Sequence, residues 1–273
     1  MGGMIQATES SLLGPKEGPP VRTLNAGGRG GFVLVCEHAS RFIPAALGEL
    51  GLDEEAKHSH AAWDIGARDL AVELMAELDA PLVAARVSRL VYDCNRPPEA
   101  HDAVPARSER FEIPGNRDLA AAAREQRARE IYAPFRKELT GTLDRRNGPA
   151  LLVTIHSFTP VYMGRAREVE LGLLHDADAR MADAMMAIAS RHTGMATALN
   201  APYAASDGVT HTLRDHGVAR GLANVMIEVR NDLIDTPSGV HRVAAELAGL
   251  LREIAPPMLA DTAAPATAET TTD

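Results

Sequence analysis

The feature of this sequence that most constrains its fold is a set of three short apolar stretches, each running directly into ionisable residues. They are FVLVCEH at 32–38, LLVTIHS at 151–157 and VMIEVRND at 225–232. Short, partly β-branched apolar runs of this kind have the length of a buried strand rather than a helix. In open α/β sheets, ligands bind just beyond the carboxyl ends of such strands. The pattern therefore predicts that histidines and acids from distant segments meet at one edge of a sheet, as an enzyme site requires.

Helical segments alternate with strands along the chain. Helices are predicted over 61–78, 118–145, 177–192 and 240–254, and further strands at 81–87, 90–92 and 169–174. Such alternation predicts an α/β fold with a central, mostly parallel sheet covered by helices on both faces. Residues 31–255 are expected to form a single catalytic domain, between a flexible leader at 1–30 and a disordered tail at 256–273.

Composition excludes several classes of function. The formal charge of −9 and the pI near 5.6 argue against a broad cationic face for nucleic acid or anionic lipid, although a few arginines in a cleft can still bind a small anion. The two cysteines, Cys36 and Cys94, are too few for a disulfide scaffold and are expected to be buried thiols. No apolar run approaches the length of a membrane span, and residues 1–20 lack the pattern of a signal peptide. We therefore expect a cytoplasmic protein.

Three ionisable residues at the strand ends are candidates for catalysis, and each has a structural alternative. His38 and His156 are residue types that bind metals, but an imidazole at the end of a buried strand can also be a satisfied structural group. Glu228 lies in an otherwise apolar strand, where a buried carboxylate without a partner is costly. Its structural alternative is an ion pair with Arg230, which shares its face of the strand.

The segment HSHAAWDIGA at 58–67 places Asp64 beside the only tryptophan of the chain. The structural reading of this segment makes Asp64 an N-terminal partner of a helix dipole, with His60 facing solvent.

The segment SRLVYDCNRP at 88–97 places Arg89, Asn95 and Arg96 around a predicted strand. The planar fork of arginine suits bidentate capture of a carboxylate. The structural alternative is a salt bridge from an arginine of this segment to Asp93 or Glu99.

Taken together, five segments make the chain resemble the N-formylglutamate amidohydrolase family. They are VCEHAS at 35–40, HAAWDIGA at 60–67, SRLVYDCNRP at 88–97, TIHSFTP at 154–160 and IEVRNDLI at 227–234. The resemblance implies a three-layer α/β/α fold with a mixed central sheet, of the phosphorylase/hydrolase type found in zinc exopeptidases. It also implies cleavage of the N-formyl or a similar N-acyl amide of a dicarboxylic amino acid. N-formyl-L-glutamate would give L-glutamate and formate, a step in histidine breakdown.

A weaker, fold-level likeness to zinc carboxypeptidases implies roles for individual positions. His38 and His156 match zinc ligands, Asn95-Arg96 match a pair that binds the substrate carboxylate, and Glu228 with Arg230 match a strand whose glutamate is the base.

One position departs from that pattern. The second carboxypeptidase ligand is a glutamate three residues after the first histidine, and the residue there is Arg41. We choose Asp64 as the carboxylate ligand of Zn²⁺, with Glu37 as the alternative and His60 as a weaker substitute.

The resulting hypothesis is a metal-dependent amidohydrolase acting on a small anionic N-acyl amino acid, without nucleic-acid or membrane partners. His38, Asp64 and His156 would hold Zn²⁺ or another divalent metal. In this hypothesis Glu228 is the general base, Arg230 orients it or steadies the oxyanion, and the substrate carboxylate is held by Asn95, Arg96 and Arg89. Two alternatives stay open: a zinc deacylase or peptidase for another N-acyl amino acid or small peptide, and a non-catalytic metabolite-binding protein on the same scaffold.

Overall fold

The computed structural model of the protein describes residues 11–263 and contains a seven-stranded sheet flanked by helices. The strands are β1 (Val21–Leu24), β2 (Phe32–Cys36), β3 (Leu82–Ala85), β4 (Arg107–Ser108), β5 (Phe111–Glu112), β6 (Leu151–Phe158), β7 (Val161–Tyr162), β8 (Arg165–Ala166), β9 (Leu171–Leu174), β10 (Thr197–Leu199) and β11 (Asn224–Arg230). The helices are α1 (Glu54–His58), α2 (Ala67–Leu78), α3 (Ala121–Arg127), α4 (Ala133–Asp144), α5 (Arg180–His192) and α6 (Pro237–Ala263), with a π-helical turn at Ala128–Tyr132 between α3 and α4.

The seven-stranded sheet is mixed. Its strand order is β1-β3-β2-β6-β11-β9-β10. The central strands β3, β2, β6 and β11 are parallel, whereas β1 pairs antiparallel with β3, and β9 pairs antiparallel with β11. The hairpins β4–β5 and β7–β8 form two separate small sheets. The predicted α/β fold with a mixed central sheet is confirmed.

Helices cover the sheet on both faces because its central strands are apolar on both sides. Along β2, Leu34 packs into a cluster with residues of α2, α5 and α6, while its neighbours Val33 and Val35 pack into a second cluster with residues of α4. Successive side chains of a strand point to opposite faces, so these two clusters are the two cores of a three-layer structure. Every residue of β6 is buried, as a strand covered on both faces requires.

The register of the parallel strands brings their polar ends together. Strand β2 pairs with β6 through Phe32↔Leu151 to Val35↔Thr154, so that the chain leaves β2 towards His38 beside the end of β6. On the other side of β6, Glu228 of β11 lies directly opposite His156. The carboxyl ends of all three strands therefore share one edge of the sheet, where the sequence pattern placed the candidate site.

Two predicted elements near this edge differ from the structure. The helix expected over 61–78 begins only at Ala67, because Gly66 has a left-handed conformation with φ of 80° that ends the preceding turn. The strand expected at 90–92 is a turn instead. Ser88 stabilises this turn, since its hydroxyl oxygen accepts from the Leu90 amide and its carbonyl oxygen from the Val91 amide.

The expected flexible leader at 1–30 contains an ordered strand. Strand β1 pairs antiparallel with β3 at the edge of the sheet, and Val21 is buried against Ala85 there. The expected disordered tail at 256–273 also contains structure, because α6 continues to Ala263 and Leu259 packs against the core on the α2 side of the sheet. Residues 1–10 and 264–273, which these two expectations also include, lie outside the described part of the chain. From residue 11 to residue 263, no helix combines the length and the apolar character needed to cross a bilayer.

The core between α2, α6 and the sheet gives a test of this packing. Leu74 of α2 is fully buried there, whereas Leu199 at the edge strand β10 is 38% exposed. Leu74→Ala is expected to lower the free energy of unfolding by about 2–5 kcal/mol, because it leaves a cavity in a packed core. Leu199→Ala, the control, should cost less than about 1 kcal/mol because little apolar area is lost. Denaturant titration measures both, and equal losses would contradict the described burial of Leu74.

Candidate active site

Three ligand-type atoms converge at the carboxyl edge of the sheet. The Nδ1 atom of His38 lies 3.2 Å from Asp64 Oδ2 and 3.2 Å from Nδ1 of His156. Nδ1 of His156 lies 3.0 Å from the same carboxylate oxygen. One ligand atom from each residue lies within 4.8 Å of the others, and all three residues are buried. Residues 26 to 118 positions apart in sequence are thus brought to one point.

The opposite edges of both imidazole rings face carboxylates. Nε2 of His38 lies 2.7 Å from Asp93 Oδ1, and Nε2 of His156 lies 3.1 Å from Glu37 Oε2. The second contact is close but too bent for a good hydrogen bond. A carboxylate can only accept, so each Nε2 carries a proton and each ring turns its Nδ1 to the centre, where Nδ1 donates to Asp64 in the protonated ring and is a ligand atom in the neutral ring. Burial acts to lower the pKa of both histidines, but the surrounding carboxylates raise it, so a cation at the centre would take the place of the Nδ1 protons. Metal-binding histidines commonly have this carboxylate support.

The charges around this cluster also suit a cation. Three carboxylates surround the two imidazoles, and Arg89 is the guanidinium that bridges two of them, at 3.2 Å from Asp64 Oδ1 and 3.1 Å from Asp93 Oδ2. Burial acts to raise the pKa of Asp64, but the neighbouring His38, His156 and Arg89 hold that pKa well below its usual value. The Asp64 carboxylate is therefore ionised. Acceptor atoms that converge in a negatively charged, buried position fit a divalent metal ion.

A tight turn before α2 delivers Asp64 to the cluster. The Asp64 amide donates to the carbonyl of His38 at 3.0 Å, which ties the turn to the end of β2. Gly66 allows the turn to close, since a Cβ there would lie 2.4 Å from the carbonyl oxygen of Ile234. The Ser157 amide donates to Asp64 Oδ2 at 3.3 Å and fixes the carboxylate against β6. Asp64 thus precedes the helix and is not its dipole partner.

A cavity of about 500 Å³ opens onto the cluster, and Glu228 is part of its wall. One carboxylate oxygen of Glu228, Oε2, is buried without a hydrogen-bond partner among the described residues. Burial, reinforced by the charge of Asp64, raises the pKa of Glu228 to about 7. No ion pair joins Glu228 to Arg230 in the described part of the chain, so the structural alternative for this glutamate does not apply. A carboxyl group of this kind can accept and return a proton near neutral pH.

Arg230 does not occupy the position expected of a catalytic residue. Its guanidinium donates to Asp232 at 2.9 Å and to Glu170 at 3.0 Å, and it is not among the residues that line the cavity. The expectation that it orients Glu228 or faces the oxyanion is therefore corrected. Two acids beyond the end of β11 hold this arginine outside the site.

Glu37 and His60 also differ from their expected roles. Glu37, the alternative ligand, lies on the Nε2 side of His156, on the far edge of the ring from the cluster. His60 is buried rather than facing solvent, lines the cavity, and has its Nδ1 3.8 Å from Asp64 Oδ1. Burial lowers the pKa of His60 to about 4, so its ring is neutral.

The residues expected to bind the substrate carboxylate line the cavity but differ in availability. Both ends of the Asn95 amide are used within the protein, as Nδ2 donates to the Val209 carbonyl at 2.5 Å and Oδ1 accepts from the Thr212 amide at 3.0 Å. Asn95 therefore fastens the segment 209–212 to the site rather than offering itself to a ligand.

The two arginines of the same segment are also engaged. Arg96 donates through Nε to Asp102 at 2.6 Å and through one terminal nitrogen to the Asn95 carbonyl at 3.1 Å. Its ion-pair partner is therefore neither Asp93 nor Glu99. Both terminal nitrogens of Arg89 donate to carboxylates of the cluster, as described above. Arg89 therefore positions Asp64 and Asp93 rather than a substrate.

Three residues of the site were missed by the sequence analysis. Asp93, which supports His38, was considered only as a salt-bridge partner, although an acid beside Asn95 in a polar loop is a usable signal. Arg167 and Tyr203 also line the cavity, and both terminal nitrogens of Arg167 lie 3.2 Å from the Tyr203 hydroxyl. They come from the residues around the β7–β8 hairpin and from the segment before 205, where no sequence pattern marks them.

Comparisons with known proteins bear on the same segments. The sequence model of the N-formylglutamate amidohydrolase family matches residues 30–235. No curated protein matches the chain. The structure is similar to the crystal structure of a gene product from Agrobacterium tumefaciens, with 47% sequence identity over 89% of this chain and 97% of that chain and a TM-score of 0.87.

An N-formylglutamate amidohydrolase from Ralstonia eutropha JMP134 shares the fold at 20% identity, over 86% of this chain and 97% of that chain, with a TM-score of 0.63. The family match spans most of the chain, including the segments that carry His38, Asp64, His156 and Glu228. The chain belongs to the N-formylglutamate amidohydrolase family.

Proposed function

We propose that this protein is a metal-dependent amidohydrolase that cleaves the N-formyl amide of an acidic amino acid, with N-formyl-L-glutamate as its substrate and L-glutamate and formate as products. The observation that carries the proposal is the convergence of His38, Asp64 and His156 beside the buried carboxylate of Glu228, whose Oε2 has no hydrogen-bond partner among the described residues. This arrangement combines a metal site with a proton acceptor at the edge of one cavity. Membership of the amidohydrolase family supports the reaction class.

The three converging residues would hold the metal through Nδ1 of each histidine and Oδ2 of Asp64. Two histidines with one carboxylate are a familiar ligand set for catalytic zinc. When bound, such an ion supplies Lewis-acid activation of the amide carbonyl and of water. The protein contributes the fixed geometry, because Asp93 accepts a hydrogen bond from the outer edge of the His38 ring and Arg89 pairs with Asp64. The Glu37 carboxylate faces the outer edge of the His156 ring.

Glu228 would act as the general base and then as the general acid. It takes a proton from the attacking water, whose oxygen becomes part of formate, and returns that proton to the amine nitrogen of the departing amino acid. A group with a pKa near neutral pH suits both transfers, which agrees with the raised pKa of the buried Glu228 carboxyl. Its position opposite His156 on β11 places it next to the proposed metal site.

Arg96 would bind a substrate carboxylate at the wall of the cavity. Its ion pair with Asp102 uses Nε, and its backbone contact uses one terminal nitrogen. The other terminal nitrogen has no partner among the described residues and is available to a ligand. Positive charge in the cavity wall would attract an anionic substrate even though the whole chain is acidic.

Metal removal tests the proposed reaction directly. The protein stripped with a chelator is expected to lose release of formate from N-formyl-L-glutamate, and stoichiometric Zn²⁺ is expected to restore it. N-acetyl- and N-succinyl-L-glutamate, assayed in parallel, distinguish a deformylase from a deacylase for other N-acyl groups. Stoichiometric zinc without hydrolysis of any of these compounds would favour a non-catalytic binding protein instead.

The role of Glu228 is tested by replacing it with a neutral isostere. Glu228→Gln is expected to retain bound metal and to lower kcat by a factor of about a hundred or more, because it removes general-base catalysis. Elemental analysis and steady-state kinetics measure the two quantities. Glu170→Gln, which alters an acid paired with Arg230 outside the cavity, is the matched control and should leave kcat nearly unchanged. Full activity in Glu228→Gln would remove this residue from the mechanism.

The support of His38 by Asp93 predicts an effect on metal affinity. Asp93→Asn is expected to weaken zinc binding by about tenfold to a hundredfold, because the amide no longer fixes the His38 tautomer that presents Nδ1 to the metal. Competition titration against a chromogenic chelator measures the dissociation constant. Asp102→Asn changes an acid paired with Arg96 outside the cluster and serves as the control. Equal affinities for the wild-type protein and Asp93→Asn would show that this carboxylate does not support a ligand.

A further inference from the structure

Three arginines line the cavity of the candidate active site, and they differ in how their charge is balanced. Arg89 and Arg96 are paired with carboxylates, as described above. Arg167 makes no ion pair with any described residue, although Glu109 and Asp207 also contribute to the cavity wall. Its polar contacts are the neutral Tyr203 hydroxyl and the Thr159 carbonyl, at 3.2 Å and 3.4 Å. It is therefore the one of the three lining arginines that has no ion-pair partner among the described residues.

Aromatic rings hold this arginine in place. The central guanidinium carbon lies 4.6 Å from the ring centroid of Tyr162, 5.0 Å from that of Tyr203 and 5.4 Å from that of Phe158. Contacts of this kind attract a cation without using its N–H donors. Phe158 is fully buried at the end of β6, the strand that also carries His156. Arg167 is thus anchored on the same rigid element as a proposed metal ligand.

The remaining donors of Arg167 form one edge of the guanidinium. Nη1 and Nη2 both donate to the Tyr203 oxygen, and Nη1 also donates to Thr159. The Nε–H and the second Nη2–H, which lie side by side, have no acceptor among the described residues. This edge matches the two oxygens of a carboxylate in a bidentate pair.

Tyr203 adds a further donor next to this edge. Its oxygen accepts from Arg167, so its own hydrogen is available to another acceptor. Burial, together with the charge of Glu228, raises the pKa of Tyr203 to about 12, so that the hydroxyl keeps its proton.

We propose that Arg167, oriented by Tyr162 and Tyr203, binds the side-chain carboxylate of an N-acyl acidic amino acid and makes the site selective for acidic over neutral side chains. The inference rests on the proposed function and assigns the second carboxylate of that substrate. The α-carboxylate, close to the scissile amide, would then bind Arg96. Arg96 belongs to the same loop as Asp93, which contacts His38. A neutral side chain would leave Arg167 without an ion-pair partner in the complex, and this penalty produces the selectivity.

The test compares two substrates that differ only in side-chain charge. N-formyl-L-glutamate and N-formyl-L-glutamine are assayed with the metal-loaded wild-type protein and with Arg167→Met. The substitution is expected to lower kcat/KM for N-formyl-L-glutamate by about tenfold to a hundredfold, mainly through KM, because a charge-assisted hydrogen-bonded pair is lost. The value for N-formyl-L-glutamine should change by no more than about threefold, within the range of a weak neutral contact.

Arg165→Met is the matched control, because it removes the same charge from β8 at an exposed position outside the cavity wall. It should leave both values near those of the wild-type protein. Arg167→Lys, which keeps the charge but not the fork, should recover part of the selectivity. Thermal unfolding and metal content confirm that each variant is folded and loaded, and a destabilised Arg167→Met is replaced by Arg167→Gln for the same comparison.

Two outcomes would contradict the assignment while leaving the proposed function intact. One is an equal loss of kcat/KM for both substrates, and the other is no loss for either. If the wild-type protein hydrolyses neither compound, the proposed function fails, and calorimetric titration with L-glutamate and L-glutamine tests Arg167 alone. A preference for L-glutamate that disappears in Arg167→Met supports the assignment, and equal binding of the two amino acids overturns it.

Discussion

The candidate site depends on two imidazole nitrogens that face each other across 3.2 Å with a carboxylate oxygen beside them. Three acceptors in contact, with their lone pairs directed at one another, are unfavourable unless a proton or a cation lies between them. The protein maintains this arrangement by fixing everything around it. Asp93 accepts a hydrogen bond from the outer edge of the His38 ring, and the Glu37 carboxylate faces that of His156. Arg89 pairs with Asp64 and Asp93, and the Ser157 amide holds Asp64 against the sheet.

The positions of the residues around the cluster depend in turn on the register of the strands. Because β2, β6 and β11 are adjacent and parallel, their polar continuations emerge at one edge without any long loop having to fold back. Two further loops are attached to these strand ends by single residues that make several hydrogen bonds. Asp93 accepts from His38 and from the backbone N–H of Asn95, and the Asn95 side chain bonds the segment 209–212 through both of its ends. Disturbing one of these residues would loosen two segments at once.

Much of this architecture could be predicted from the sequence, and the reason is periodicity. Apolar runs of strand length located β2, β6 and β11, and the acids and histidines that follow them were placed at one edge because parallel strands share a direction. Asp64 was expected at a metal site only through the family resemblance, since its position depends on the turn at Gly66 rather than on any period.

The errors have a common physical origin. Whether an arginine faces a cavity depends on which acids lie near it in space, and Glu170, which helps to hold Arg230 outside the site, is 60 positions away. The expectation that Asn95 binds substrate was wrong because the sequence does not reveal which residues it contacts in space, and both ends of its side chain bond the segment 209–212. Arg167 was missed although Phe158 and Tyr162 precede it closely in sequence, because Tyr203 and most of the cavity wall come from distant segments. The expectation of a flexible leader at 1–30 rested on the composition of the whole segment, which does not reveal a strand as short as the four residues of β1.

The continuation of β6 past His156 to Phe158 has a consequence for how proteins of this architecture could diverge. The strand end that carries the reaction chemistry is buried and bonded on all sides, whereas the β7–β8 hairpin that follows it is exposed. Changes in the length or composition of that hairpin would exchange one recognition surface for another without disturbing the strand. New substrate preferences could therefore evolve through changes in the exposed hairpin while the buried strand end stays the same.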